Sequence, residues 1–388
     1  MQGRDSHSSW MERALTLAHR AQGRTSPNPP VGAVIVRDGR IVGEGWTQPP
    51  GGPHAEVAAL RAAGPEARGS DLYVTLEPCT FWGRTPPCTD AIVQAGIRRV
   101  FFAAYDPDQR IGEGATAVLA RAGIEARYCP EYAACAEELI APFRCWTRHR
   151  RPLVIAKYAM TLDGRVATVT GDSRWISSSA ARRRVHELRD CVDAIIVGVG
   201  TVLADDPLLT TRLEDHWRPV QHPLRVIVDS RGRMPLTARV LDPGLPGRTL
   251  VATVRPDSHW HAALVARGID VLVFDPGPDG RVPLPSLLRA LGERGYTSAL
   301  VEGGSTLLGA LAQERLIDRI WAFIAPKIVG GSAAPGPVGG PGALRMADAQ
   351  HWEFFATERI GDDLLVIARP RSAPANDDGD SAEATSCL

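Results

Sequence analysis

Strand-like and helix-like stretches alternate along almost the whole of this sequence, and the alternation breaks and restarts once. A helix is predicted over 8–22, with Trp10, Ala14, Leu17, Ala18 and Ala21 on one face, and SPNPPVG ends it. VGAVIV and RIVGEGW flank Asp38-Gly39, a turn dipeptide suited to a hairpin, so two antiparallel strands follow. Helices and strands then take turns: HAEVAALRAA, DLYVTLEP, TPPCTDAIVQAG, RRVFFAAYD, ATAVLARAG and IEARYC, with EYAACAEELIAPFRCW as a closing helix. A hairpin leading into such alternation implies a three-layer α/β sandwich.

The break is TRHRRP, polar and basic, which places a domain boundary near residue 150. Beyond it, strands are predicted at PLVIAKYAM, DAIIVGVG, LRVIVDS, TLVATV, DVLVFD, SALVEGG and RIWAFIAPKIVG. Helices are predicted at SSAARRRVHELR, LPSLLRALGERG and STLLGALAQERL, and a last hairpin turns at Gly361-Asp362. The expected fold class is α/β in two domains, 1–148 and 152–370, which suits a length of 388 residues. GGSAAPGPVGGPG reads as a flexible loop and 371–388 as a disordered tail.

Basic and acidic residues number 44 each, which argues against general attraction to nucleic acid or to an anionic membrane. No apolar run reaches the roughly 18 residues that a bilayer span needs, and the N-terminus lacks a signal peptide's apolar core. A cytoplasmic protein is expected. Its seven cysteines are odd in number and too sparse for a disulfide framework. Cys129, Cys135, Cys145 and Cys191 read as small core residues, Cys387 lies in the tail, and reduced thiols are expected.

The chemistry concentrates in His54-Ala-Glu56, Cys79 and Cys88. One imidazole and two thiolates hold zinc through three protein ligands and leave a fourth position for water, as catalytic rather than structural sites do. Such a site lowers the pKa of water to about 7. Glu56, not itself a ligand, is placed to move protons to a ring nitrogen and to a departing ammonia, the signature of hydrolytic nucleobase deamination. The cysteines stand eight residues apart instead of two. A closed site with Cys129 or Cys135 as fourth ligand is the structural alternative. In the second domain, the turns at Val197–Thr201 and Val301–Thr306 are glycine-containing and serve either as phosphate cradles or as tight turns. Neither is a full dinucleotide fingerprint.

SPNPPVGAVIV, HAEVAALRAAG and YVTLEPCTFWGRTPPCTDAI resemble the deaminase half of the bifunctional RibD family of riboflavin biosynthesis. KYAMTLDGRVAT, GDSRWISS, GVGTVLADDPLLTTR and VEGGSTLLGALAQERLIDRI resemble its reductase half, from about 152 to 369. The resemblance implies a cytidine deaminase-like fold followed by a dihydrofolate reductase-like fold. Zinc would sit on His54, Cys79 and Cys88, with Glu56 as proton carrier, and NADPH would serve the second domain. Its implied cofactor contacts are Ala159, Trp175, Thr201, Asp205, Ser230 and the stretch Gly304, Ser305, Thr306, Leu307, Leu308, Gly309 and Ala310. Its implied substrate contacts are Ser173, Arg189, Leu209, Arg212 and Glu302, with the two arginines clamping a phosphate. Asn28 is read either as a substrate contact or as a turn residue, and Arg84 as a phosphate contact or an exposed loop arginine. Asp205 and Lys157 are the alternative proton donors of the reduction.

The family usually has Ser-His-His or similar after the first cysteine, where this chain has Thr80-Phe81-Trp82. The implied substrates are small phosphorylated pyrimidines, and a homo-oligomer is a further expectation. A nucleic-acid base deaminase with a non-catalytic second domain is the alternative from another class.

Overall fold

Asp38 and Gly39 both adopt positive φ, 48° and 74°. This is the backbone a two-residue hairpin loop requires. They close β1 (Gly32–Arg37) onto β2 (Arg40–Trp46), with Arg37 opposite Arg40. In this computed structural model, residues 2–371 are described apart from Asp215 and Arg255, with side chains from Ser9 onward. The chain forms two compact units that divide at Arg150 and Arg151, as the TRHRRP break predicts.

In the first unit, α1 (Gln2–Ala21) buries Met11, Ala14, Leu17, Ala18 and Ala21. The hairpin is followed by α2 (Ala55–Ala63), β3 (Asp71–Val74), α3 (Cys88–Ala95), β4 (Arg99–Phe102), α4 (Gly114–Arg121) and β5 (Glu125–Tyr128). The five-stranded sheet runs β2-β1-β3-β4-β5. β1 is antiparallel to β2 and β3, while β3, β4 and β5 are parallel.

Small residues set the position of α2. Its buried Ala55, Ala59 and Ala63 recur every four residues and lie over Gly43 and Gly45 of β2. A Cβ at Gly43 would sit 2.4 Å from the Ala59 carbonyl oxygen, and one at Gly45 would sit 2.5 Å from that of Ala55. The helix therefore lies directly on the sheet backbone, which fixes where its first turn ends up.

The predicted closing helix is two helices, α5 (Ala133–Leu139) and α6 (Ala141–His149). Pro142 has no N–H to continue the ladder, and the chain turns at Ile140. Thr147–His149, expected as linker, form the last turn of α6, and left-handed Arg150 caps it with its N–H on the Trp146 carbonyl.

The second unit contains β6 (Leu153–Thr161), α7 (Ser179–Cys191), β7 (Ala194–Gly198), α8 (Val199–Asp205), β8 (Leu224–Val228) and β9 (Thr249–Thr253). These are followed by α9 (Ser258–Ala266), β10 (Asp270–Val273), α10 (Leu284–Glu293), β11 (Ser298–Val301), α11 (Ser305–Gln313) and β12 (Arg319–Ala325). The predicted last hairpin is present as β13 (Trp352–Ile360) and β14 (Asp363–Pro370). The nine-stranded sheet runs β10-β9-β8-β7-β11-β6-β12-β14-β13. It is parallel from β10 to β12 and antiparallel at β14 and β13. β11 is buried at all four positions, as a strand covered on both faces must be.

Two helices, α8 and α9, lie where the sequence pattern showed none. α8 opens with Val-Gly and was expected as a turn, but Gly198 serves as its N-cap. The GGSAAPGPVGGPG stretch is pinned on α11 instead of hanging free. Gly339 N–H donates to the Ser305 carbonyl at 2.9 Å, and Ser305 Oγ donates to the Gly336 carbonyl at 2.5 Å. The expected tail, 372–388, lies outside the described residues. Among the described residues, no helix is long and apolar enough to cross a membrane.

Candidate active sites

His54 is the N-cap of α2, and Glu56 follows in its first turn with 4% exposure. Cys88 is the first residue of α3, and its N–H donates to Cys79 Sγ at 3.3 Å. His54 Nδ1 lies 3.7 Å from Cys79 Sγ and 3.3 Å from Cys88 Sγ. Bond lengths of roughly 2.0–2.1 Å to nitrogen and 2.3 Å to sulfur give a tetrahedral N···S edge of ~3.6 Å. The observed edges match it, so the donor set fits zinc. Among the described residues these three form the metal-binding group, and neither Cys129 nor Cys135 joins it. Cys129 packs against the core, and burial pushes its thiol up to about 11. Cys79, Cys88, Cys129, Cys145 and Cys191 carry no disulfide, whereas Cys135 is disulfide-bonded, which corrects the expectation of reduced thiols at that position.

Electrostatics give the same assignment. A hydrogen bond from the Cys88 thiol, reinforced by His54, pulls Cys79 down to about 5. His54 is pushed up to about 9 by its bond to Cys79. Cys88 is pushed up by holding its proton toward Cys79 and by burial. Zinc takes cysteine as thiolate and histidine as neutral imidazole, so metal binding at this cluster would release protons. Burial raises Glu56 above the usual glutamate range, with His54 opposing in part, which suits a group that must both take and give a proton.

These side chains stand on a cavity of about 250 Å3, with buried Glu56 and half-buried His54 and Cys79 deep and exposed Arg84 at the rim. Asn28 lines it too, and its backbone is that of a turn residue. Its N–H donates to the Thr25 carbonyl at 2.8 Å and closes a turn, while the residue faces the cavity. The Thr-Phe-Trp segment now has a place. Thr80 Oγ1 donates to the Ile111 carbonyl at 2.7 Å, Phe81 lines the cavity, and Trp82 is exposed. Sequence reasoning missed Asp106, Arg110, Phe143 and Trp146, which also line it. Burial raises Asp106 to about 7. Glu77 accepts the N–H groups of Ala115 at 2.7 Å and Asp106 at 3.3 Å, tying the start of α4 to the 106–110 loop.

In the second unit, Arg189 of α7 meets Glu302, just past β11, through Nε at 2.7 Å and Nη2 at 3.1 Å. Lys157 Nζ of β6 lies 3.7 Å from the same carboxylate. Burial raises Glu302, but Arg189 and Lys157 more than reverse it and hold the carboxyl at about 2. Burial lowers Lys157. Arg212 Nη1 donates to Thr210 Oγ1 at 3.1 Å, and its N–H donates to His186 Nδ1 at 3.2 Å. Arg189 also donates from Nη1 to the Thr210 carbonyl at 3.0 Å, so each of its three nitrogens makes one hydrogen bond and Nη1 and Nη2 each keep a second N–H. Lys157 and Asp205 are separated in environment: Lys157 joins the buried cluster, whereas Asp205 is exposed and lies 3.5 Å from Arg174.

The two glycine turns are neighbours, because they end adjacent strands β7 and β11. A Cβ at Gly198 would sit 4.0 Å from that of Leu307. Thr201 follows in α8, Gly304 is the N-cap of α11, and Ser305 and Thr306 form its first turn. Leu307 and Leu308 are buried in the core with Ala310 packed against it, and Gly309 is covered by Gly339. Along the expected cofactor stretch, Gly304 and Thr306 are exposed, Ser305 and Ala310 half-buried, and Leu307 to Gly309 buried. Ala159 of β6 pairs in register with Phe323, and Ser230 Oγ accepts the Val282 N–H at 3.1 Å. Ser173 is half-buried, and Leu209 is buried with a φ of 53°. Trp175 is 64% exposed, with Arg182 stacked at 4.3 Å.

Comparison with known proteins matches residues 4–104 to the cytidine and deoxycytidylate deaminase zinc-binding region and residues 152–366 to the RibD C-terminal domain. The riboflavin biosynthesis protein RibD of Bacillus amyloliquefaciens is 40% identical over 369 residues, covering 95% of this chain and 98% of its own. That of Escherichia coli K12 is 40% identical over 92% of this chain and 97% of its own. Among solved structures, the Thermotoga maritima diaminohydroxyphosphoribosylaminopyrimidine deaminase/5-amino-6-(5-phosphoribosylamino)uracil reductase has 34% identity and a TM-score of 0.83, covering 95% of this chain and 99% of that one. Acinetobacter baumannii RibD, form 1, has 36% identity and a TM-score of 0.82 with the same coverage.

Proposed function

Because this chain belongs to the RibD family, a bifunctional deaminase–reductase family that uses zinc and NADPH, we propose that its own residues divide two consecutive reactions between its two units. The first unit converts 2,5-diamino-6-ribosylamino-4(3H)-pyrimidinone 5′-phosphate and water to 5-amino-6-(5-phosphoribosylamino)uracil and ammonia. The second reduces the ribosyl group of that product to ribityl. The observation that carries this reading is the His54–Cys79–Cys88 triangle with Glu56 buried beside it.

His54, Cys79 and Cys88 would hold zinc, which when bound would supply the positive charge that makes water nucleophilic near neutral pH. Glu56 accepts the water proton and delivers protons to the ring nitrogen and to the amino group that leaves as ammonia. Asn28 orients the pyrimidine, and Arg84 receives the phosphate. In the second unit bound NADPH would supply the hydride for reduction at C1 of the ring-opened imine, and a residue of this chain gives the imine nitrogen its proton. Lys157 is the better proton donor of the two candidates, since its burial beside Arg189 favours losing the proton, whereas Asp205 is exposed. Arg212 binds the phosphate, and Glu302, held rigid by Arg189, orients ribose hydroxyls. Gly304, Ser305 and Thr306 at the start of α11, with Thr201, Ser230, Ala159 and Trp175, receive the cofactor. We place the enzyme in the cytoplasm, acting on free phosphorylated pyrimidines and not on nucleic acid, as a homo-oligomer.

The test is to incubate the protein with the diaminopyrimidinone phosphate with and without NADPH. Ammonia is expected without NADPH, and NADPH oxidation only after deamination. Glu56→Gln is expected to abolish ammonia release and retain zinc. Loss of zinc in that variant would mean Glu56 is a ligand, and no ammonia from the zinc-loaded wild type would sink the deaminase reading.

A further inference from the structure

The cavity of the first unit has a floor and a rim of different origin. The floor residues His54, Glu56 and Cys79 fall within the matched zinc-binding region, 4–104. Part of the rim comes from beyond it, including Arg110 in the loop between β4 and α4. Arg110 is held on two sides. Its guanidinium carbon lies 4.3 Å from the centroid of the Phe81 ring, which places the cation over the aromatic face. Its Nε lies 3.0 Å from both Asp108 oxygens, and Nη2 lies 2.5 Å from one of them. The Asp108 side chain is itself fixed, accepting the Arg110 N–H at 3.0 Å, and is only 10% exposed. Nη1 has no hydrogen-bond partner among the described residues, and the Arg110 side chain is 60% exposed. A planar cation so held offers its remaining edge at a fixed angle, with little rotamer freedom left to lose on binding. Arg84, on the same rim, makes no hydrogen bond or ion pair among the described residues.

We propose that Arg110, clamped between Phe81 and Asp108, is a specificity-determining residue of the deaminase that donates its free edge to the phosphate monoester of the substrate, alongside Arg84. This rests on the deaminase reading above. It also assigns a task to the Thr80-Phe81-Trp82 departure: Phe81 supplies the surface on which Arg110 lies flat, and a histidine there would set a second titratable group against the cation.

The experiment compares deamination of the diaminopyrimidinone ribosyl 5′-phosphate with that of its phosphatase-treated riboside, in wild type and in Arg110→Met. The quantity read is the ratio of kcat/KM on the two substrates. Losing one charge-assisted contact lowers that preference by about tenfold. Asp108→Asn, which loosens the clamp without removing the cation, is expected to lower the same ratio. An unchanged ratio in Arg110→Met overturns the assignment. So does an equal fall on both substrates, which marks a merely structural role. Zinc content and melting temperature, measured alongside, establish that each variant is folded. A wild type that releases no ammonia from either substrate is a failure of the deaminase reading itself, and so is distinguishable from a failure of the Arg110 assignment.

Discussion

Glu302→Gln tests the electrostatic frame of the reductase unit with little change of shape. Glutamine approximates the protonated glutamate, so the pKa shift measures what the negative charge contributes in place. The Glu302 carboxyl drops from an ordinary 4.5 to about 2, despite burial that acts in the opposite direction. At about 1.4 kcal/mol per pKa unit, the charge is worth about 3 kcal/mol at neutral pH. The side chain is 12% exposed and Arg189 is 11% exposed, so solvent screening leaves most of this intact. Because the folded pKa is depressed, the contribution is fully present above the unfolded value of 4.5 and is lost as pH falls through 2. The linkage relation gives about 3 kcal/mol above pH 5 and about 1 kcal/mol at pH 3. The assay is native-state amide exchange on β6 and β11 in the full chain, because a two-unit protein gives no single unfolding free energy. Glu302→Gln is expected to lower their opening free energy by about 3 kcal/mol at pH 7, with the difference shrinking as pH falls toward 3. A difference below 1 kcal/mol at pH 7 refutes the reasoning, as does one that stays constant with pH.

Two further outcomes follow from the geometry. Gly309→Ala puts a Cβ 2.2 Å from the Gly339 carbonyl oxygen, so the 330–342 loop must lift from α11. A cost of about 1–3 kcal/mol is expected, read as faster amide exchange at Gly339, and unchanged exchange there would refute the contact. Removing zinc with a chelator is expected to abolish ammonia release while NADPH oxidation on pre-deaminated product continues, with added zinc restoring the first activity. Loss of both activities together would contradict the division of labour.

What the sequence made legible is what chemistry or local backbone geometry fixes on its own. Only a few residue types bind zinc, so His54, Cys79 and Cys88 stood out, and Asp38-Gly39 marked its hairpin because few dipeptides tolerate two positive φ values. The break at Ile140 is set by Pro142, a signal that the surrounding run of good helix formers masks. The engagement of Arg189 was not readable, since Thr210 and Glu302 reach it only through tertiary structure.

The rim of the deaminase cavity shows the same division most clearly. Phe81, Asp108 and Arg110 look separately like ordinary loop residues, and no spacing links them. They meet because β3 and β4 are adjacent and parallel, so the segments leaving their C-terminal ends emerge at the same edge of the sheet. Ligands bind at that edge in α/β sheets generally. The metal-ligand chemistry is therefore local in this sequence, whereas the contacts of the rim are assembled by strand order. If Arg110 acts as proposed, substitutions on the rim change the preference for the phosphate while the zinc ligands stay fixed, and Phe81 beneath it belongs to the Thr80-Phe81-Trp82 segment.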